Sequence, residues 1–178
     1  MATSEEGPLD RAAFEQLVAE YAERLYNLAL RITGVAADAE DAVQEAFASA
    51  YRHRDQFRGG ASPRTWLYRI TVNAALQRVR ERAPREYLEE PLAERQELTD
   101  WPAHSDDPAV VAELRQQLEA ALGALAPDLR AAVILRDVEG LSAREAAEAL
   151  GISEAAFKSR LHRGRVLLRE RLSEYLRG

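Results

Sequence analysis

Between Leu141 and Leu172 the chain reads LSAREAAEALGISEAAFKSRLHRGRVLLRERL. Ser142 and Glu145 have the spacing of a capping box, in which a hydroxyl and a carboxylate each satisfy a backbone N–H left over at a helix start. A short helix rich in alanine follows, with Ala143, Ala146, Ala147, Ala149 and Leu150, whose small side chains let another helix come close. Gly151 supplies a sharp turn, Ile152 points back to the core, and Ser153 caps a second helix. In that helix Phe157, Leu161 and Leu168 share one side. Glu154, Lys158, Arg160, His162, Arg163 and Arg165 are left for other faces. This is the pattern of a helix-turn-helix whose second helix enters a DNA major groove. The competing reading is an αα-hairpin with a solvated basic face. The glycine at the turn, the caps on both helices and the arginine cluster favour DNA.

Upstream, Leu114, Leu118, Ala121, Leu122 and Leu125 give one helix, and Pro127 opens another containing Ala131, Val133, Ile134 and Leu135. At the other end Phe14, Leu17, Val18, Tyr21, Leu25, Leu28, Ala29 and Ile32 recur at spacings of three and four, and Gly34 ends that helix. A second helix runs from about Asp38, with Ala42, Val43, Ala46, Phe47 and Ala50 as its apolar stripe. Gly59 and Gly60 break the chain. Ser62 is an N-cap with Pro63 at the first helical position. The third helix turns Trp66, Leu67, Ile70, Ala74 and Val79 inward. From Pro84 to Pro108 there are prolines and acids but no sustained period, the mark of a linker, and the lone Trp101 suggests that part of it docks on a partner or domain.

The chain has 178 residues, 47% of them apolar and 30% charged, and no cysteine. Sparse β-branched and aromatic residues favour helices. Without cysteine there is neither a disulfide nor a thiolate ligand or nucleophile. No apolar run approaches a membrane span, and Met1–Asp10 is acidic, without the apolar core of a signal segment. The expectation is a cytoplasmic chain without membrane insertion. The net charge is −6, but it is segregated. Residues 151–178 carry seven basic and three acidic side chains (+4), and residues 62–82 carry five and one (+4). Residues 83–113 carry two basic and nine acidic side chains (−7). Two basic patches around an acidic middle call for partners of different charge.

Four motifs in this order resemble those of the extracytoplasmic-function (ECF) sigma factors of the sigma-70 family. The helix-turn-helix stretch and the preceding LEAALGALAPDLRAAVILRDVEGLS resemble region 4. DAEDAVQEAFASAYR resembles the polymerase-binding part of region 2, and FRGGASPRTWLYRITVNAALQRVRER its promoter-melting part. The resemblance covers about Phe14 to Leu172 apart from the linker. It implies an all-α protein of two small helical domains: region 2 over 10–83, a flexible acidic linker over 84–108, and region 4 over 109–176. The linker itself resembles that of the oxidative-stress (sigma-R and sigma-H) subgroup, whose members are held by a zinc-binding anti-sigma factor.

The resemblance also implies roles. Asp38, Asp41, Gln44 and Glu45 are expected on one exposed face that docks on the β′ clamp of bacterial RNA polymerase core. An acidic face suits a basic coiled coil. Phe57, Arg58, Gly59, Gly60 and Ala61 form the candidate loop that captures an unstacked base of the −10 element, where stacking and edge hydrogen bonds are needed. Asn73 matches a position near that base, with Gln77 where many members carry Asp, which leaves the −10 base preference open. Arg78, Arg80 and Arg82 are expected on the DNA backbone. Trp66 and Tyr68 fall in the melting region, although Trp66 also sits in the apolar stripe. At the −35 element, Glu154, Ala155, Lys158 and Ser159 are best placed for base edges, and Lys158, Arg160, Arg163 and Arg165 for phosphates. Phe157 and Gly164 depart from the usual family pattern. Phe157 reads as core filling, and Gly164 as a bend or a close approach. The β flap, promoter DNA and an anti-sigma factor complete the expected partners. Free, the two domains are expected to pack together or be clamped, masking both DNA surfaces.

His53, His104 and His162 are far apart and lack acidic neighbours at ligand spacing, so no metal or other cofactor is expected. Gly59–Gly60 lacks the lysine of a phosphate loop, and no nucleophile–base pair stands out. An enzyme is not expected. A conventional helix-turn-helix regulator acting without polymerase would leave the acidic helix and the arginine-rich third helix unexplained. A protein-interaction adaptor would leave both basic patches unexplained.

Overall fold

The computed structural model describes residues 10–57, 62–82 and 108–177. Arg58, Gly59, Gly60 and Ala61 of the candidate capture loop lie outside these residues, as do Trp101, His104 and the segment 84–107. Among the described residues the protein is all helix, with α1 over Arg11–Thr33, α2 over Ala36–His53 and α3 over Pro63–Arg82 in the first half. The second half holds α4 over Pro108–Gly123, α5 over Pro127–Val133, α6 over Ala143–Leu150 and α7 over Glu154–Arg177. A single 3₁₀ turn, Arg54–Gln56, follows α2, and a π turn, Ile134–Val138, continues α5.

Helix starts and stops follow local chemistry. The Asp10 carboxylate accepts from the Ala13 N–H at 2.7 Å, a cap that opens α1. Gly34 closes it in the left-handed region, with φ +69°. The Ser62 hydroxyl accepts from the Thr65 N–H at 3.1 Å, with Pro63 at the first helical position. Pro108 and Pro127 open α4 and α5 in the same way.

Helices α1, α2 and α3 pack on one another, with Leu25, Leu28, Ile32, Leu67 and Val72 fully or almost fully buried. The Phe14 ring meets the Tyr51 ring edge-on at 5.5 Å, tying the start of α1 to the end of α2. In the second half α7 packs on α4, α5 and α6, and Phe157 near its start is wholly buried. The two halves also pack together. Helix α3 lies against α6 as well as against its own bundle, and α1 touches α4, α5 and the π turn. Sequence periodicity gives α3 one inward stripe, but it buries Thr65, Tyr68, Thr71, Val72, Ala75 and Leu76 as well. A helix covered from two sides has no single apolar face. Its exposed positions shrink to Arg69, Asn73, Gln77 and the residues from Arg80 to Arg82.

Gly164 is a close approach. A Cβ there would stand 2.7 Å from a methyl of buried Val133 and 3.1 Å from the Leu129 carbonyl oxygen, so α7 touches the backbone of α5. Alanine favours helix over glycine by about 1 kcal/mol, while forcing a methyl into a packed contact costs about 1–3 kcal/mol. The clash should win. Gly164→Ala is expected to destabilise the protein by about 1–2 kcal/mol, read as a lower midpoint in urea denaturation.

Candidate nucleic-acid interface

The helix-turn-helix is built as its sequence asks. The Ser142 hydroxyl accepts from the Glu145 N–H at 3.2 Å, and the Glu145 carboxylate accepts from the Ser142 N–H at 2.8 Å. Hydrogen bonding from Ser142 to the carboxylate, from its hydroxyl foremost and then from its N–H, holds the Glu145 carboxyl below the usual carboxylate range. Gly151 turns the chain with φ +64°, and the Ile152 N–H returns to the Ala147 carbonyl at 3.1 Å. The Ser153 hydroxyl then accepts from the Ala156 N–H at 3.1 Å. Phe157 and Leu161 face inward. Glu154, Ala155, Lys158, Ser159 and His162 are therefore left exposed on the outer side of α7.

Of the expected phosphate contacts, Arg160 and Arg163 are half-buried and Arg165 is exposed. Arg165 is held by Asp137 of the π turn in a two-pronged pair, at 3.0 and 2.5 Å, which raises its pKa. Lys158 pairs with Glu154 one turn back at 2.8 Å, which lowers the Glu154 pKa. Arg160 stands 3.9 Å from Asp128.

On the other half, Asn73 and Gln77 share the exposed stripe of α3. Phe57 is turned inward instead, 5% exposed, with its ring 5.3 Å from that of half-buried Trp66. Tyr68 is wholly buried. On α2, Asp41, Gln44 and Glu45 are exposed and Asp38 is half-buried. Sequence reasoning assigns this acidic face and the arginines of α3 to different partners. The structure makes them neighbours. Arg82 donates to Asp38 at 2.6 Å and to the Thr33 carbonyl at 2.8 Å, and Arg78 donates to Glu45 at 3.1 Å. Arg80 reaches Asp128 of the other half at 3.1 Å.

These folded halves correspond to two known families. Sigma-70 region 2 matches residues 17–85, and Sigma-70, region 4 matches residues 115–168. The ECF RNA polymerase sigma factor SigW of Bacillus subtilis is 33% identical over 171 residues, covering 93% of this chain and 91% of the relative. The chain belongs to the ECF group of sigma-70 factors. The ECF sigma-E factor of Escherichia coli is 34% identical over 174 residues, 94% of this chain and 91% of that protein. SigE of Mycolicibacterium smegmatis is 38% identical over 172 residues, 93% of this chain, which spans only 65% of that longer relative. Among solved structures, the sigma factor RpoE in complex with the anti-sigma factor NepR from Bartonella quintana is similar, with a TM-score of 0.67 and 28% identity, covering 90% of this chain and 96% of that one. CnrH in complex with the cytosolic domain of CnrY gives the same TM-score and identity, covering 93% and 90%.

Sequence reasoning missed the residues that join the halves of this sigma factor. Glu139 follows the π turn, where its N–H donates to the Ile134 carbonyl at 2.9 Å. Its carboxylate accepts from the Tyr68 hydroxyl at 2.7 Å, and its own carbonyl accepts from Arg64 at 2.7 Å. Burial foremost, and then this carboxylate, push the Tyr68 phenol up to about 12. A phenol raised above its ordinary value of 10 contributes stability that is complete below about pH 10 and lost as pH rises through 12. The contact is therefore constant through the neutral range. Arg130 is the other missed residue. It is 5% exposed and donates to the Ile32 carbonyl at 2.7 Å, to the Leu125 carbonyl at 3.0 Å and to the Gly123 carbonyl. A lone arginine within the run PDLRAAVIL was the available signal, because a buried charge needs partners.

The capping box yields a direct test. Ser142→Ala should cost about 1 kcal/mol. It should also return the Glu145 carboxyl toward the ordinary carboxylate value, followed by NMR titration. Since a depressed carboxyl stabilises above its unfolded pKa and loses that contribution as pH falls through the folded one, the variant should show a shallower acid limb in its stability–pH curve.

Proposed function

We propose that this sigma factor binds bacterial RNA polymerase core and directs it to promoters with two DNA-reading faces, one on each half. The single observation that carries this reading is the pair of exposed stripes that the packing leaves open. Asn73 and Gln77 lie on α3, and Ala155, Lys158 and Ser159 lie on α7. Residues 10–83 form the unit for polymerase and the −10 element, 109–176 the unit for the −35 element, and 84–108 the connection. Asp41, Gln44 and Glu45 give α2 an open acidic and polar face for a basic partner such as the β′ clamp. The β flap is the expected partner of the second half. Arg58, Gly59, Gly60 and Ala61 remain the proposed base-capture loop, while Phe57 before it is buried against Trp66.

At −35, Glu154, Ala155, Lys158 and Ser159 meet base edges, and Arg160, Arg163 and Arg165 meet phosphates. At −10, Arg78 and Arg80 approach the backbone by exchanging carboxylate partners for phosphates. No metal or other cofactor enters this scheme, and no catalytic group. The action is cytoplasmic, and an anti-sigma factor is the proposed regulator, as RpoE and CnrH are each found in such a complex or with a partner's cytosolic domain. Among the described residues no helix is long and apolar enough to cross a membrane.

The test is transcription from a promoter library by purified core polymerase with and without the protein. Initiation at a defined subset of promoters should appear only with it. Tight duplex binding by the protein alone, with no initiation and no core binding, would favour a conventional regulator. Within the active system, Arg163→Ala should weaken −35 binding alike for all sequences and reduce the salt slope by about 1. Ser159→Ala should instead change the preferred base at one −35 position.

A further inference from the structure

Of the 24 lysine and arginine side chains in this protein, 23 are arginines. The single lysine is Lys158, and it stands on the exposed outer side of α7 with Ala155 and Ser159. Masking of this face is expected from the sequence, but the packed halves leave all three residues open. The Lys158 side chain is 65% exposed, and it pairs at 2.8 Å with Glu154, one turn back on the same helix. For gripping a phosphate or a guanine an arginine would serve as well or better, because its planar fork makes two parallel bonds where an ammonium is a point charge. What an amine has and a guanidinium lacks is reactivity. A guanidinium keeps its proton, whereas an amine that sheds one is a nucleophile. No cysteine competes for an electrophile. The chain thus carries one side-chain amine and no thiol, and the amine lies on the face proposed to read DNA.

The surroundings suit an activated acyl group as the electrophile. Its carriers, phosphate and the coenzyme A thioester, are anionic, and residues 151–178 hold a net charge of +4. Arg144 of α6 is exposed, and it adds to the larger influence of Lys158 in holding the Glu154 carboxyl below its ordinary range. It is therefore a second cation beside the amine, able to receive the phosphate of a carrier. The chemistry is nucleophilic acyl transfer. The neutral amine attacks the acyl carbon and a C–N bond forms. The bond from that carbon to the carrier's oxygen or sulfur breaks, and phosphate or thiol leaves with the electron pair. The surplus proton on nitrogen passes to the Glu154 carboxylate, 2.8 Å away, and on to water.

We propose that Lys158 is an acylation site, with an acyl phosphate or an acyl-coenzyme A thioester as donor, and that its acylation resets the base preference of this sigma factor at −35. The effect on DNA rests on the two-face reading above; the reactivity does not. Acylation turns the ammonium into a neutral amide and removes the partner of Glu154. The couple changes from neutral to singly negative. An ammonium on this stripe favours guanine, whereas a released carboxylate accepts from the amino group of cytosine. The arginines proposed to hold phosphates cannot follow, so the modification changes what is read and leaves the general grip on DNA in place.

The test starts from the full-length protein, incubated separately with acetyl phosphate and with acetyl-coenzyme A. The donor is removed before core polymerase is added. Peptide mass spectrometry should find Lys158 acetylated by at least one donor, and the donor that reacts identifies the source. Initiation from a library of promoters varied in the −35 element should then fall about tenfold at those with the base that Lys158 prefers, relative to untreated protein. Lys158→Gln, neutral like the amide, should show the reduced pattern without treatment. Lys158→Arg should give the same pattern before and after treatment, which sets aside acetylation of the α-amino group. Absence of acetyl on Lys158 with both donors would overturn the site. An acetylated protein that starts at the same promoters as the untreated one would overturn the switch. The mass readout needs neither polymerase nor DNA, so failure of the sigma assignment would show separately, as no initiation by the untreated protein.

Discussion

Helix α3 is the piece on which the rest of the structure depends, because two bundles claim it at once. On one side it completes the core with α1 and α2, and on the other it receives α6. A second helix can be seated there because α6 buries alanines, Ala146, Ala147 and Ala149, where longer side chains would hold the partner off. Burying a large apolar side chain contributes roughly 1.5–3 kcal/mol, so the fully covered Leu67, Tyr68 and Val72 make α3 a strong centre of cohesion. The polar groups around this contact then set its geometry, since Tyr68 and Glu139 satisfy each other only in one register.

The arginines of this chain show how position decides what a charge does. Arg130 is withdrawn from solvent and satisfies carbonyls at the ends of α1 and α4. Arg78 and Arg82 lie on the surface against the carboxylates of α2, and Arg165 is gripped by Asp137. Exposed pairs of this kind are weak and yield to phosphates at modest cost. The net negative charge of the chain is thus compatible with nucleic-acid partners, because many of its acids hold the arginines in place rather than repel the partner.

Much of this was legible in the sequence. The capping box at Ser142, the turn at Gly151, the caps at Ser62 and Ser153 and the stop at Gly34 are local chemistry, and each is found where its residues put it. The exposure of Asn73, Lys158 and Ser159 follows from helical periodicity around well-placed core residues. Tyr68, Glu139 and Arg130 were not legible, because their roles depend on contacts between residues far apart in the chain. Periodicity reports how a helix meets one neighbour, and α3 meets two. The burial of Phe57 was not legible for a related reason. An aromatic next to a glycine pair can turn outward or pack on its own half, and the ring of Trp66, far from it in the sequence, is what receives it.

The π turn at Ile134–Val138 places one more residue in its loop of backbone than an α-helix would. That surplus lets Asp137 serve α7 while Glu139, two residues on, serves α3. A deletion of one residue that restored the α repeat would rotate everything after it by about 100°. Both carboxylates would then leave their arginine and tyrosine together, and α6 would turn its alanines elsewhere. The length of the segment, more than its letters, is therefore what the two helices it serves depend on.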